Sequence, residues 1–74
     1  PMTPQKQLFT AGEFARLTGV NKEAAQYDEI GLFSPAQKGS NGYRYYTYEQ
    51  SLTLEMLLAL REAGMSINEI RHYM

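Results

Sequence analysis

The sequence contains no cysteine and no tryptophan, a single histidine, three prolines and a net charge of only −1 at pH 7. Each absence excludes something. Without cysteine there is no disulfide and no thiolate metal site, so stability must come from packing, helix caps or a partner. His72 is the only histidine, and no serine or carboxylate stands in a nucleophile or acid–base setting. No glycine-rich phosphate loop follows a strand, so the chain does not read as an enzyme and calls for no cofactor or metal. No apolar run approaches the roughly 18 to 20 residues of a membrane span, and the opening PMTPQKQ lacks the basic-then-apolar order of a signal peptide. The chain therefore reads as soluble and cytoplasmic, with no membrane partner. Near-zero charge also excludes a broad field that would gather polyanions.

What is present fits one small domain. Aliphatic and aromatic residues make up 43% of the 74 residues, an ordinary globular share. A chain this short buries only about 60% of the surface its unfolded form exposes, so the core must be small. Residues 1–46 are close to neutral (Lys6, Arg16, Lys22, Lys38 and Arg44 against Glu13, Glu23, Asp28 and Glu29), whereas residues 47–74 are acidic. There is no internal repeat, low-complexity tract or linker.

Three capping boxes punctuate the chain. Thr10-Ala-Gly-Glu13 predicts a helix from Ala11, with Phe14, Ala15 and Leu17 as its apolar side and Thr18-Gly19 as its end. Asn21 is the next good N-cap, opening KEAAQYDEI, in which Val20, Ala24, Tyr27 and Ile30 fall at helical spacing. Lys22, Glu23, Gln26 and Glu29 are left on the other side. Gly31 offers a left-handed C′ residue, with Leu32 and Phe33 placed to fold back on the helix end. A connection of about three residues, with small Ala15 and Gly19, is helix-turn-helix spacing. Asn41-Gly42 suits a type I′ hairpin turn, in which both central residues have positive φ. It would join a strand near Ala36 to Lys38 to one at Tyr43 to Tyr46, with Tyr43 and Tyr45 on one face and Arg44 and Tyr46 on the other. Thr47-Tyr-Glu-Gln50 starts the longest helix, whose Leu52, Leu54, Met56, Leu57, Leu58, Leu60 and Ala63 cover more than one stripe. Ser66-Ile-Asn-Glu69 starts a last helix with Ile67, Ile70 and Tyr73 along one side. That helix is still in register at Met74, which predicts that the natural chain continues. The predicted fold is mainly α: a winged helix-turn-helix with a short two-stranded β-hairpin wing and two further helices.

At this point the residues become specific. LFTAGEFARLTGV, then YDEIGLF-SP, then NGYRYYT, then a leucine-rich helix ending LREAGMSINEI, resembles the N-terminal DNA-binding domain of the MerR family of bacterial transcription regulators, over residues 8–73. The resemblance implies homodimers that place the second helix of each helix-turn-helix in the major groove of promoter DNA and set the wing on phosphate. It implies that effector binding in a C-terminal domain makes the dimer bend and untwist the promoter, realigning its elements for RNA polymerase, so that the polymerase is an indirect partner. Residues 1–74 would then be one domain, followed by a dimerisation helix and an effector domain that holds the ligand. The chain departs from the family in one place: KEAAQYD is one residue shorter than K-x-T-L-R-Y-Y-D. Ala24 or Ala25 takes the site of a buried leucine, and Ala25 or Gln26 that of the phosphate-binding arginine.

The candidate DNA-binding residues are Lys22, Glu23, Gln26, Lys38, Tyr43 and Arg44. For Lys22, Glu23 and Gln26 the alternative is a solvated helix face, and Glu23 suits DNA only where it meets a cytosine amino group. Tyr27 and Ile30 read as core. Arg44 is either a phosphate contact, as the resemblance implies, or one partner of a surface ion pair with Asp28 or Glu29. Tyr43 could donate its hydroxyl to phosphate, and Lys38 across the hairpin could add a nonspecific contact. Tyr45, Tyr46 and Tyr48 read as packing residues with wet hydroxyls. Two other functions fit the same elements: an excisionase-like architectural protein that bends DNA, and a winged helix used for protein–protein contact.

Overall fold

The computed structural model describes residues 7–20 and 22–74. In chain order the elements are β1 (Phe9–Thr10), α1 (Ala11–Thr18), α2 (Glu23–Glu29), β2 (Gln37–Lys38), β3 (Arg44–Tyr46), α3 (Tyr48–Glu62) and α4 (Ile67–Tyr73). The three capping boxes form as the spacing predicts. Thr10, Thr47 and Ser66 each accept the N–H of the residue three on, and Glu13, Gln50 and Glu69 each return to the cap residue's own N–H. These bonds satisfy backbone donors that a helix start otherwise leaves unpaired. The expected N-cap Asn21 lies outside the described residues; the cap position of α2 falls at Lys22, whose side chain makes no capping bond.

The helix ends are also set by local chemistry. Leu32 N–H reaches Tyr27 O at 2.8 Å and Gly31 N–H reaches Asp28 O at 3.0 Å, with Gly31 at φ 73°. This Schellman closure turns the chain back at once and brings Phe33 into the core. Ile30, expected in the core, is instead 46% exposed, because the helix stops before it and the returning Phe33 takes the interior place. Arg71 of α4 donates to Ile30 O, closing the end of α2 from across the fold.

The hairpin differs from expectation in its turn and in its company. Asn41 does not adopt positive φ; Gly42 does, at 86°. Gly42 N–H donates to Gly39 O at 2.9 Å and Gly39 N–H to Tyr43 O at 2.8 Å, so the loop is a turn followed by a left-handed glycine rather than type I′. The Asn41 side chain accepts from Tyr43 N–H at 3.0 Å and lies 2.8 Å from where a Cβ on Gly39 would sit, so a side chain there would have to displace the Asn41 amide. The wing also gains a third strand. β1 pairs antiparallel with β3 (Phe9 opposite Tyr46, Thr10 opposite Tyr45), giving the order β1-β3-β2. Two residues before a helix carry too little alternation to announce a strand.

The core consists of Phe14, Phe33, Tyr46, Leu54, Leu57 and Ile70, drawn from α1, the turn after α2, β3, α3 and α4. Phe14 and Tyr46 stack with ring centroids 4.1 Å apart and planes 9° from parallel, and Phe33 stacks against both at 6.0 to 6.2 Å. α3 supplies Leu54 and Leu57, as its central place predicts. Its opposite side is exposed: Tyr48, expected to pack, is 48% accessible, because it stands nine residues before Leu57 and so half a turn out of phase. Tyr73, at the end of α4, is likewise exposed at 65% while Ile70 is fully buried.

Gln50 ties the wing's entrance to α3. Its Oε1 accepts from Thr47 N–H and Ala36 N–H, each at 3.1 Å, and its Nε2 donates to Ser34 O at 2.7 Å. One capping side chain thus fixes the chain on both sides of Pro35. With so few buried residues, each carries a large share of the stability. We expect Phe14→Ala to cost about 3–5 kcal/mol, enough to unfold most of a domain this small; urea titration followed by helical circular dichroism measures it.

Candidate nucleic-acid interface

Lys22 at the start of α2, Gln26 within it and Ile30 just past its end recur every fourth position and so fall on one side of the helix. All three are exposed. Ala24 and Tyr27 pack on the core from the other side, so Ala24 rather than Ala25 occupies the inward position left open by the short KEAAQYD segment. Glu23 is half-buried, and its Oε1 accepts the backbone N–H of Lys22 at 3.3 Å. That bond draws the carboxylate back onto the start of α2, where a negative charge suits the helix dipole. The outward face available to a partner is therefore Lys22 and Gln26, with Glu23 engaged at its edge.

The wing residues divide by strand parity. Tyr46 points into the core, so Arg44, two residues earlier, lies on the same face of the sheet and meets α2. Its Nε donates to Asp28 Oδ2 at 2.7 Å. Lys38, the cross-strand neighbour of Arg44, places Nζ 3.1 Å from the same oxygen. Asp28 is well covered, with an 11% accessible side chain, while Arg44 is 26% and Lys38 49% accessible. Two of the candidate residues are thus brought together by a third that sequence reasoning named only as a salt-bridge alternative. The signal that could have found it was the parity of Arg44 with Tyr46.

The Arg44 hydrogen bond holds the Asp28 carboxyl below its usual range, with Lys38 adding to it against the opposing effect of burial. Arg44 is raised in turn by the same bond. Burial raises the Tyr46 phenol, with Arg44 lowering it and Asp28 raising it. Tyr43 is on the other side of the strand and 65% exposed. With Thr10, Ala11, Gly12, Gly42, Arg44 and Tyr45 it lines a concavity of about 360 Å³ between the start of α1 and the wing. Tyr45 is half-buried. Among the described residues no group of three or more histidines, cysteines or carboxylates could hold a metal ion, and no helix is long and apolar enough to cross a membrane.

Residues 9–74 match the family model described as MerR HTH family regulatory protein. The chain belongs to the MerR family. It is 48% identical over 67 residues to the multidrug-efflux transporter 2 regulator of Bacillus subtilis, covering 89% of this chain and 24% of that protein. It is 45% identical over 65 residues to the transcriptional regulator BrlR of Pseudomonas aeruginosa, covering 85% of this chain and again 24% of the relative. The chain therefore spans about a quarter of the length of these curated relatives. Among solved structures, it superposes on HiNmlR, a MerR family regulator lacking the sensor domain and bound to promoter DNA, with a TM-score of 0.76 at 25% identity, over 89% of this chain and 51% of that one. The regulator SkgA of Caulobacter crescentus gives a TM-score of 0.72 at 33% identity, over 92% and 50% of the two chains. The winged helix-turn-helix expected from the sequence is the fold of these MerR domains, and these relatives are named as regulators.

A carboxyl whose folded pKa lies below its unfolded value adds stability that is complete above the unfolded value and is lost as pH falls through the folded one. Asp28 is such a group, and Glu69, lowered by its bonds from Ser66, is another. We expect the thermal midpoint to drop on acidification below about pH 4, and Asp28→Asn to remove part, not all, of that slope. A set of melts from neutral pH downward on both proteins checks it; identical slopes would mean that the bridge contributes nothing to stability.

Proposed function

We propose that this domain binds double-stranded promoter DNA sequence-specifically, as half of a homodimeric MerR regulator that distorts its promoter when an effector binds. α2 enters the major groove with Lys22 and Gln26 towards base edges and Glu23 at the rim. The β2–β3 wing rests on phosphate through Arg44, Lys38 and the Tyr43 hydroxyl. The observation that carries this reading is the ion-paired seat of the wing on α2: Asp28 binds Arg44 and Lys38 at 2.7 and 3.1 Å. It fixes the two elements as one surface that carries Lys22, Lys38 and Arg44 together. That HiNmlR, which shares the fold, is bound to promoter DNA supports duplex DNA as the partner.

The low charge of one copy favours a dimer, since two linked half-sites multiply their affinities. Relatives about four times as long, of which this chain spans 24%, support residues 1–74 as one domain ahead of a dimerising helix and an effector domain. The effector would bind there, outside the residues described, and RNA polymerase would respond through the reshaped promoter rather than through this surface. Such a regulator works in the cytoplasm and needs no cofactor in this domain. An excisionase-like protein would share the fold but end soon after Met74, so the downstream reading frame separates the two.

The test is binding by the full-length protein to a duplex spanning its own promoter, titrated across salt. We expect log affinity to fall linearly with log salt, and Arg44→Ala to weaken binding at least several-fold while reducing the slope by about one per protomer. Gln26→Ala should relax base preference at one position by about 1–3 kcal/mol with the slope unchanged. Salt-insensitive or absent binding by the intact dimer would end the DNA reading. Loss of DNA retention on replacing both Arg44 and Lys22 with alanine would eliminate the protein-contact alternative.

A further inference from the structure

Both wing cations use one oxygen. Arg44 Nε and Lys38 Nζ converge on Asp28 Oδ2, and Asp28 belongs to α2 while the cations sit opposite each other on β3 and β2. The bridge therefore runs between the helix proposed to read bases and the strands proposed to touch phosphate. It occupies a single N–H of a guanidinium that has five, so the rest of the fork is left in one orientation relative to α2. The carboxylate also reduces the formal charge of the three groups from +2 to +1. An untethered arginine and lysine on a flexible hairpin would meet phosphate in many registers of the helix; tethered ones meet it in the register that α2 defines.

Resting on the DNA reading above, we propose that Asp28 is a positioning residue for specificity: it aims the Arg44 fork from the recognition helix and cancels part of the wing's indiscriminate attraction to nucleic acid. Its removal then has opposite effects on two kinds of DNA. Sequence-independent affinity rises, because one more positive charge per protomer is free to release counterions. Affinity for the correct site gains less, because the fork is no longer held in register when α2 is seated.

The experiment uses the full-length protein with two probes of equal length: a duplex enriched by the unaltered protein from a random pool, and a mixed-sequence duplex lacking that site. Asp28→Asn keeps the shape and removes the charge; Asp28→Glu keeps the charge but lengthens the arm. Asp28→Asn is expected to bind the mixed duplex several-fold more tightly, with its salt slope steeper by about one per protomer, and to narrow the ratio between the probes roughly tenfold, or about 1.4 kcal/mol. Asp28→Glu is expected to keep the parental slope and narrow the ratio less. A purely structural role would weaken both probes equally at unchanged slope, and that result overturns the proposal, as does an Asn variant indistinguishable from the parent. Circular dichroism checks folding; if Asp28→Asn does not fold, the Glu variant carries the test alone, and a parental ratio overturns it. A parent that binds neither probe overturns the DNA reading itself, which separates the two failures.

Discussion

The Phe14–Tyr46 stack is the contact on which the rest of the molecule depends. It joins the first helix to the central strand at a centroid distance of 4.1 Å, and so fixes the helix-turn-helix to the wing with two fully buried rings. Phe33 closes the same cluster from the turn after α2, and Leu54, Leu57 and Ile70 complete it from α3 and α4. In a domain with so little interior, one aromatic pair serves both as core and as the joint between the two surfaces a DNA duplex would meet. Aromatic pairs of this kind contribute about 0.5–1.5 kcal/mol beyond the area they bury.

The direction of Tyr46 also decides what the wing can do. A strand alternates faces, so a tyrosine in the core commits Arg44 to the side of α2 and turns Tyr43 and Tyr45 the other way. Asp28 is waiting on that side, and the charge pattern of the wing follows from the packing of its neighbour rather than from any attraction of its own. Coverage matters here: an ion pair at the open surface is worth little, but Asp28 is mostly enclosed and its partners hold its proton off.

The short helices survive by closure rather than by length. α1, α2 and α4 have eight, seven and seven residues, below the length at which isolated helices persist. Capping boxes hold α1 and α4 at their starts, Schellman turns end α2 and α3, and Arg71 reaches across the fold to the carbonyl of Ile30, just past the end of α2. Gln50 does the same for the wing, binding the backbone on both sides of Pro35. These long-range polar ties substitute for the hydrophobic bulk the chain lacks.

Local rules were enough to place most of this. The three capping boxes, the left-handed glycines at 19, 31 and 42, and the apolar spacing of α1 and α3 can be read within a few residues of each other, because they are interactions between near neighbours. The sequence also named Arg44, Lys38 and Tyr43 as the wing's polar residues, and Asp28 as one possible partner. What it did not contain in readable form were the choices made between elements. The pairing of Phe9-Thr10 with β3 depends on a strand thirty-odd residues away. The exposure of Ile30 and Tyr48 depends on which apolar side chain reaches the limited interior first, and Phe33 and Leu57 win by position. The sharing of one Asp28 oxygen by two cations depends on Tyr46 being buried, since only that fixes the face on which Arg44 emerges. Periodicity says that a side chain is on one side of its element; only the packed structure says which side faces what.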